Sequence, residues 1–275
     1  MKYVIAVSGG VDSVVLLDMF AKSNDDLVVA HFDHGIRADS HLDAQFVKSL
    51  AEKYGLPFET RRENLGPDAS EDVARKHRYK FLREVAGKYG AKLVTAHHSD
   101  DVIETIAINL KRGTGWRGLA VLDSDVLRPL SHMTKYEIIE YARKHKLPWR
   151  EDSTNASDKY LRNRIRRLSI NMDIDKKRQL LALWSTGKDL KKMIDEEVRA
   201  LVGSGPDYSR YFFIHVPDAV ALEVLRHVIN AKLTRPQLVK LLHAIKTAGN
   251  GSKYHAGGGI NTSFTTRNFT VELIK

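Results

Sequence analysis

The 275-residue chain contains no cysteine. That excludes disulfide bonds, thiolate zinc sites, iron–sulfur clusters, cysteine nucleophiles and persulfide chemistry carried on this chain. It also has no apolar run approaching the roughly 20 residues that a membrane-spanning helix needs, and no internal repeat or low-complexity tract. Met1-Lys2-Tyr3 leads straight into a strand pattern, which leaves no room for a signal peptide, so a cytoplasmic location is expected. Acidic residues are the minority: 34 Asp+Glu stand against 44 Lys+Arg, a net charge of +10. Such an excess of cation suits a polyanionic partner, nucleic acid first, or simply a soluble basic surface. The 43% apolar and 28% charged content is that of a soluble globular protein.

What is present falls into two halves. Residues 3–7, 27–32, 57–61 and 93–96 read as strands, and residues 12–21, 39–54, 70–89 and 99–111 as the helices between and after them. Helix 70–89 places Val73, His77, Phe81 and Val85 on one face, with Ser70 as N-cap. This alternation predicts an α/β class fold, a doubly wound parallel sheet with ligands at the carboxyl ends of its strands. A short strand at 126–130 and a helix at 134–146 complete this part. The alternation then stops. A long charged helix over 172–201 leads to a strand at 211–216, helices at 219–231 and 235–247, a glycine loop at 257–259 and a strand at 269–274. The expected division is a domain over 1–170 and a second, smaller α+β or helical C-terminal domain over 171–275.

The first strand feeds Ser8-Gly9-Gly10-Val11-Asp12-Ser13, which opens a helix. Glycines let backbone approach an anion, the first N–H groups of a helix point at it, and the hydroxyls of Ser8 and Ser13 add donors. The spacing is neither that of a Walker A loop nor that of the dinucleotide fingerprint. An ordinary strand-to-helix turn is the bland alternative.

Four further groups carry chemistry. His97-His98-Ser99-Asp100-Asp101-Val102-Ile103-Glu104 follows the fourth strand, and Asp101 and Glu104 share one side of the next helix. Val102, Ile103, Ile106, Ala107 and Leu110 fall opposite, so the acids are expected to face away from the core. They would bind an ammonium, a magnesium ion or a basic side chain, or merely complement the helix dipole. His31, ending the second strand, lies where an adenosine would rest beside the first loop, or only packs there. Arg75 and Arg78 stand one turn apart, off the apolar stripe of their helix, as phosphate ligands or a solvated basic face. Finally, Arg162, Arg164, Arg166 and Arg167 crowd the domain junction as a candidate polyphosphate grip.

The Ser8-to-Ser13 string resembles the PP-loop of ATP pyrophosphatases, which cleave ATP to AMP and pyrophosphate. Joined by His34-Gly35-Ile36-Arg37, Ala74-Arg75, Arg78-Tyr79, the His97-to-Glu104 string, Arg128-Pro129-Leu130, Asp152-Ser153-Thr154-Asn155, Arg162-Asn163 and Arg166, it resembles the tRNA(Ile)-lysidine synthetase family. Against that family the chain is short, and the additional C-terminal domain of longer members is expected to be missing. The resemblance implies a Rossmann-like PP-loop ATPase fold, ATP with Mg2+ as cofactors, and a tRNA(Ile) with CAU anticodon and L-lysine as partners. It also implies a cytoplasmic enzyme, with homodimerisation left open. In that reaction ATP adenylates the C2 oxygen of the wobble cytidine, and the lysine ε-amine displaces AMP to leave lysidine. Ser8, Gly9, Gly10, Val11, Asp12 and Ser13 would hold pyrophosphate, with His31 beside the nucleotide. Asp101 and Glu104 would bind the lysine ammonium, and His97 or a carboxylate would take its proton. Arg75, Arg78, Arg162 and Arg166 would stabilise phosphate charge or hold the anticodon loop. The metal ligands stay unassigned. An ammonia-dependent amide synthetase of the NAD synthetase type, another PP-loop tRNA-modifying enzyme and a non-catalytic nucleotide- or RNA-binding protein are the alternatives.

Overall fold

Strand β1 (Lys2–Ala6) is apolar on both sides because both sides are covered. In the computed structural model, which describes residues 1–23, 25–35, 39–66, 70–122, 125–151, 165, 172–202, 207–230 and 233–273, β1 lies between β2 (Asp26–Asp33) and β4 (Lys92–Val94). With β3 (Phe58–Arg62) the order is β3-β2-β1-β4, all parallel, and a bridge from Val94 to Leu127 extends the β4 edge. Alternate residues sort to opposite faces. Ile5, Val29 and Val94 pack with α1 (Val11–Ala21), α2 (Ser40–Lys53) and α5 (Lys135–Lys144). Val4, Val28 and Leu93 pack instead with Phe81, Leu82 and Val85 of α3 (Glu71–Tyr89). The winding reverses between β1 and β4, so a crevice opens at their carboxyl ends. The expected doubly wound sheet is therefore present, and α4 (Ser99–Lys111) starts at that crevice with the predicted bounds.

Contacts divide the chain into Met1–Ser185 and Thr186–Lys275. Helix α6 (Ile174–Leu201) runs through the division. The second unit contains β5 (Asp207–Ser209), α7 (Arg210–His215), α8 (Asp218–Val228), α9 (Arg235–Thr247), β6 (Lys253–Gly257), β7 (Ile260–Phe264) and β8 (Asn268–Leu273). Its antiparallel sheet runs β5-β8-β7-β6 over a core that includes Leu225, Leu241, Ile245, Ile260, Phe264 and Phe269. Gly257, Gly258 and Gly259 turn the β6–β7 hairpin, each at positive φ. Buried Arg210 donates from Nε to the Ile245 carbonyl at 2.7 Å, and from its terminal nitrogens to Thr265 and Ala248 at 2.8 Å each. It thereby satisfies carbonyls that the end of α9 leaves open. Among the described residues, no helix is long and apolar enough to cross a membrane.

Three expectations need correction. Segment 126–130 forms only the bridge at Leu127 and then a 3-10 turn, Pro129–His132, because proline cannot donate to a ladder. Residues 211–215 are helical, within α7, and Val216 caps it in an extended conformation, although the aromatic and branched side chains of 211–216 favour strand. On α3 the buried stripe begins late: Phe81 and Val85 are buried, but Val73 is 40% exposed and His77 half-buried.

Candidate functional site

The loop after β1 is held in shape by its own hydroxyls. Ser13 Oγ accepts from the N–H groups of Ser8 and Gly9 at 3.1 and 3.2 Å and donates to the Gly10 carbonyl at 2.9 Å. Gly9 stands at φ +96°, and an added Cβ would lie 3.4 Å from Phe46 Cδ1. Its carbonyl accepts from Arg150 N–H at 3.0 Å, while the Arg150 side chain pairs with Asp43 of α2. With Ser13 engaged this way, the open first turn of α1 is left facing the crevice. His31 is buried beneath the loop: its Nδ1 donates to the Val7 carbonyl at 2.8 Å, and its Nε2 has no hydrogen-bond partner among the described residues. Burial pushes this imidazole below its usual range, against the opposing pull of the Val7 carbonyl, Asp33 and Asp43.

The loop after β4 meets the first loop through His98, whose Nε2 lies 3.9 Å from Asp12 Oδ1 and 3.5 Å from Asp101 Oδ2. Asp101 caps its own helix, Oδ2 accepting from His98 N–H at 3.0 Å. Contrary to expectation, the acid pair does not face away from the core: Asp101 is 9% exposed and Glu104 wholly buried. The cause is that α4 is covered on several sides. Val102 and Ile106 pack with Val121 and Trp184, Asn109 donates to the Gly118 carbonyl, and Lys177 of α6 reaches Asp100 at 2.9 Å. Asp100 also accepts from Lys135 N–H at 3.0 Å. Burial alone would raise the Asp100 carboxyl, but these two hydrogen bonds outweigh it and hold the group below its usual range. Lys135 Nζ in turn donates to Asp12 Oδ1 at 2.6 Å.

A basic wall completes the crevice. Arg75 and Arg78 flank the Tyr79 ring at 4.8 and 5.7 Å. His97, hydrogen-bonded to Thr95 Oγ1 at 2.9 Å, is lowered to about 3 by burial first, with Asp101 opposing and Arg128, Arg75 and Arg78 adding to the effect. His34 is lowered to about 4, again by burial first and then by Arg78. Arg78 thus bears on both histidines, and Arg128, anchored on the Leu122 and Val126 carbonyls, bears on His97.

Of the residues singled out from sequence, the fold brings Ser8 through Ser13, His31, Arg75, Arg78, His97, Asp101 and Glu104 to neighbouring strand ends. Arg162, Arg166 and the 152–155 segment lie outside the described residues. Lys135, Lys177, Asp100, His98, Arg128 and Arg150 join the crevice although the sequence pattern assigns them no role of their own. Among the described residues, no group of three His, Cys, Asp or Glu side chains forms a metal cage. The second unit carries its own cleft of about 580 Å³, where Lys240, His243, Lys253 and Tyr254 line an otherwise largely apolar wall.

A family model described as a PP-loop domain matches residues 1–172. Curated proteins named tRNA(Ile)-lysidine synthase align with the chain, among them three from Solibacter usitatus, Thermotoga maritima and Thermus thermophilus. The Solibacter usitatus protein is 41% identical over 169 residues, covering 59% of this chain and 38% of that one. The Thermotoga maritima protein is 33% identical over 265 residues, covering 88% and 64%. The Thermus thermophilus protein is 33% identical over 274 residues, covering 94% and 54%. The chain therefore spans between 38% and 64% of the length of these relatives. Among solved structures, the U34-tRNA thiolase NcsA from Methanococcus maripaludis superposes with a TM-score of 0.59 at 18% identity, over 69% of this chain and 72% of that one. That likeness is one of fold.

Proposed function

The chain belongs to the PP-loop family, and from that premise we propose that it ligates lysine to C2 of the wobble cytidine in a CAU-anticodon tRNA(Ile), consuming ATP to AMP and pyrophosphate. The observation that carries this reading is the meeting, at the ends of β1 and β4, of a phosphate-shaped loop with buried carboxylates and a basic wall. The names of the curated relatives point the same way. L-lysine and that tRNA are its partners, and the cytoplasm is its place. In this reading residues 1–170 are catalytic and residues 171–275 contact tRNA, for which the lysines and tyrosine of the second-unit cleft are suited.

Chemically, the cytidine O2 attacks the α-phosphorus and pyrophosphate leaves; the lysine ε-amine then attacks C2, and AMP leaves with the O2 oxygen. The open first turn of α1 and the loop N–H groups receive the developing pyrophosphate charge. Asp12, half-buried at that turn, is the carboxylate that would hold a magnesium ion brought in with the nucleotide. When bound, magnesium would offset phosphate charge. Asp101 and Glu104 draw the lysine ammonium into the crevice, and their burial strengthens that attraction. Arg75, Arg78, Arg162 and Arg166, with Arg128 added, answer phosphate charge or hold the anticodon loop. His31 lies beside the nucleotide. A histidine at about 3 is a weak base, but phosphate bound to Arg75, Arg78 and Arg128 would cancel part of what depresses it. His97 therefore gains basicity as the site fills, and a carboxylate is the other candidate for the proton.

The test is incubation with ATP, magnesium, lysine and a CAU-anticodon tRNA transcript, followed by nucleoside mass spectrometry. A lysine-modified cytidine, formed only when all four are present, is the expected result. No adduct on any tRNA, together with robust amidation of a small acid by ammonia, would replace this reading with an amide synthetase.

A further inference from the structure

Lys135 opens α5, where a cation is disfavoured by the helix dipole. Its placement has a compensation: Nζ lies 2.6 Å from Oδ1 of Asp12, in the first turn of α1 at the mouth of the Ser/Gly loop. The base of this arm is fixed, since Lys135 N–H is bonded to Asp100 and Asp100 to Lys177. The tip is not enclosed; the Lys135 side chain is 42% exposed and that of Asp12 29%. A long, flexible ammonium on a rigid base can exchange one oxyanion for another without moving the backbone.

Asp12 poses a problem that this arm solves. A bare carboxylate in the first turn of α1 stabilises that helix when no ligand is present, yet it opposes any polyphosphate drawn to the same turn. We propose that Lys135 is a shared counter-ion: it neutralises Asp12 in the ligand-free protein and turns its ammonium to the triphosphate as nucleotide enters, leaving Asp12 to a divalent cation. Lys135 thereby couples nucleotide binding to the metal. This rests on the reading of Ser8 through Ser13 as a phosphate loop.

The experiment is calorimetric titration of the full chain with ATP, once in EDTA and once in excess magnesium, with thermal melts as a fold control. Lys135→Met removes the charge and keeps the stem. It should lose about 30-fold in ATP affinity in EDTA, where Asp12 is uncovered, but only about threefold in magnesium, where the metal covers it. Adding Asp12→Asn to Lys135→Met should restore most of the metal-free affinity, and Lys135→Arg should behave as wild type. Equal losses with and without magnesium would make Lys135 an ordinary phosphate contact and overturn the proposal. No loss in either condition would overturn it too, leaving a surface ion pair. If Lys135→Met does not fold, Lys135→Gln is read by the same criteria. Wild-type protein that fails to bind ATP in both conditions would refute the phosphate-loop reading itself, and the proposal with it.

Discussion

Mild acid should destabilise the ligand-free protein, and the cause should lie in the crevice rather than in the carboxylates. His34 and His97 are held at about 4 and about 3, below the 6.5 of an unperturbed imidazole. Below pH 6.5 the unfolded chain therefore takes up two protons that the folded chain refuses. Stability is complete above that pH and is lost as pH falls toward the folded values. Each such histidine removes about 1.4 kcal/mol per pH unit, so together they remove about 4 kcal/mol between pH 6 and 4.5. That slope needs only folded values well under 5, and His31, also lowered, adds to it. Asp18 and Asp100 have carboxyls lowered from 3.8 and titrate only in stronger acid, so the window belongs to the histidines. A typical domain is stable by about 5–15 kcal/mol, so the effect is a large share of the total. Urea unfolding at pH 7, 6 and 5 and constant ionic strength measures it. His97→Gln and His34→Gln should each remove about 1.4 kcal/mol per pH unit from the slope. A wild-type midpoint that stays flat from pH 7 to 5, or variants as steep as wild type, would refute the argument.

The loop, the acid pair and Arg210 each set a measurable outcome. Gly9→Ala places a side chain at φ +96° against Phe46; strain of about 1–3 kcal/mol should displace the loop. Its ATP affinity, measured by calorimetry, should then fall by about tenfold or more, and unchanged affinity would show that phosphate binds elsewhere. Asp101→Asn keeps an acceptor for His98 N–H but loses the charge, so in the tRNA assay the KM for lysine should rise about tenfold while that for ATP stays within about twofold. Equal rises would assign Asp101 to the nucleotide or its metal. Arg210→Met abandons three backbone carbonyls at 2.7–2.8 Å, a loss of about 3 kcal/mol or more. Chemical denaturation should show the second unit unfolding early while ATP binding, tested below that transition, persists.

The sheet and its helices were legible because their signals are local. Strands covered on both faces read as apolar runs, and Ser70 and Thr134 mark helix starts that the structure keeps, while Thr234, followed by Gln237, has the residue types of a capping box and caps α9. Helix α9 has the predicted bounds for that reason. Where local preference and packing disagree, packing decides. The stretch from Tyr211 to Val216 has strand-like composition, yet Phe213 must reach Phe269 and the preceding Arg210 must reach the end of α9, and a single helical turn satisfies both.

The site was half legible for a related reason. Motifs revealed which residues gather after β1 and β4, because glycine turns and helix starts have short signatures. The side on which Asp101 and Glu104 fall is not legible in the sequence, since a helical wheel assigns polar residues to solvent and α4 has no solvent side in its first two turns. A carboxylate buried against the binary pattern is unfavourable unless paired, so its burial points to partners that a helical wheel does not show, as His98 is for Asp101. Lys135 carries the same kind of signal. A lysine immediately after the capping Thr134 opposes the dipole of its own helix, and that misfit is visible in the residue order alone. What residue order does not reveal is the identity of the compensating group, because Asp12 lies 123 residues away and is brought there only by the crossing of the sheet. Misplaced charges in a sequence therefore announce that a partner exists, while the winding of the sheet decides that the partner is Asp12, at the Ser/Gly loop after β1.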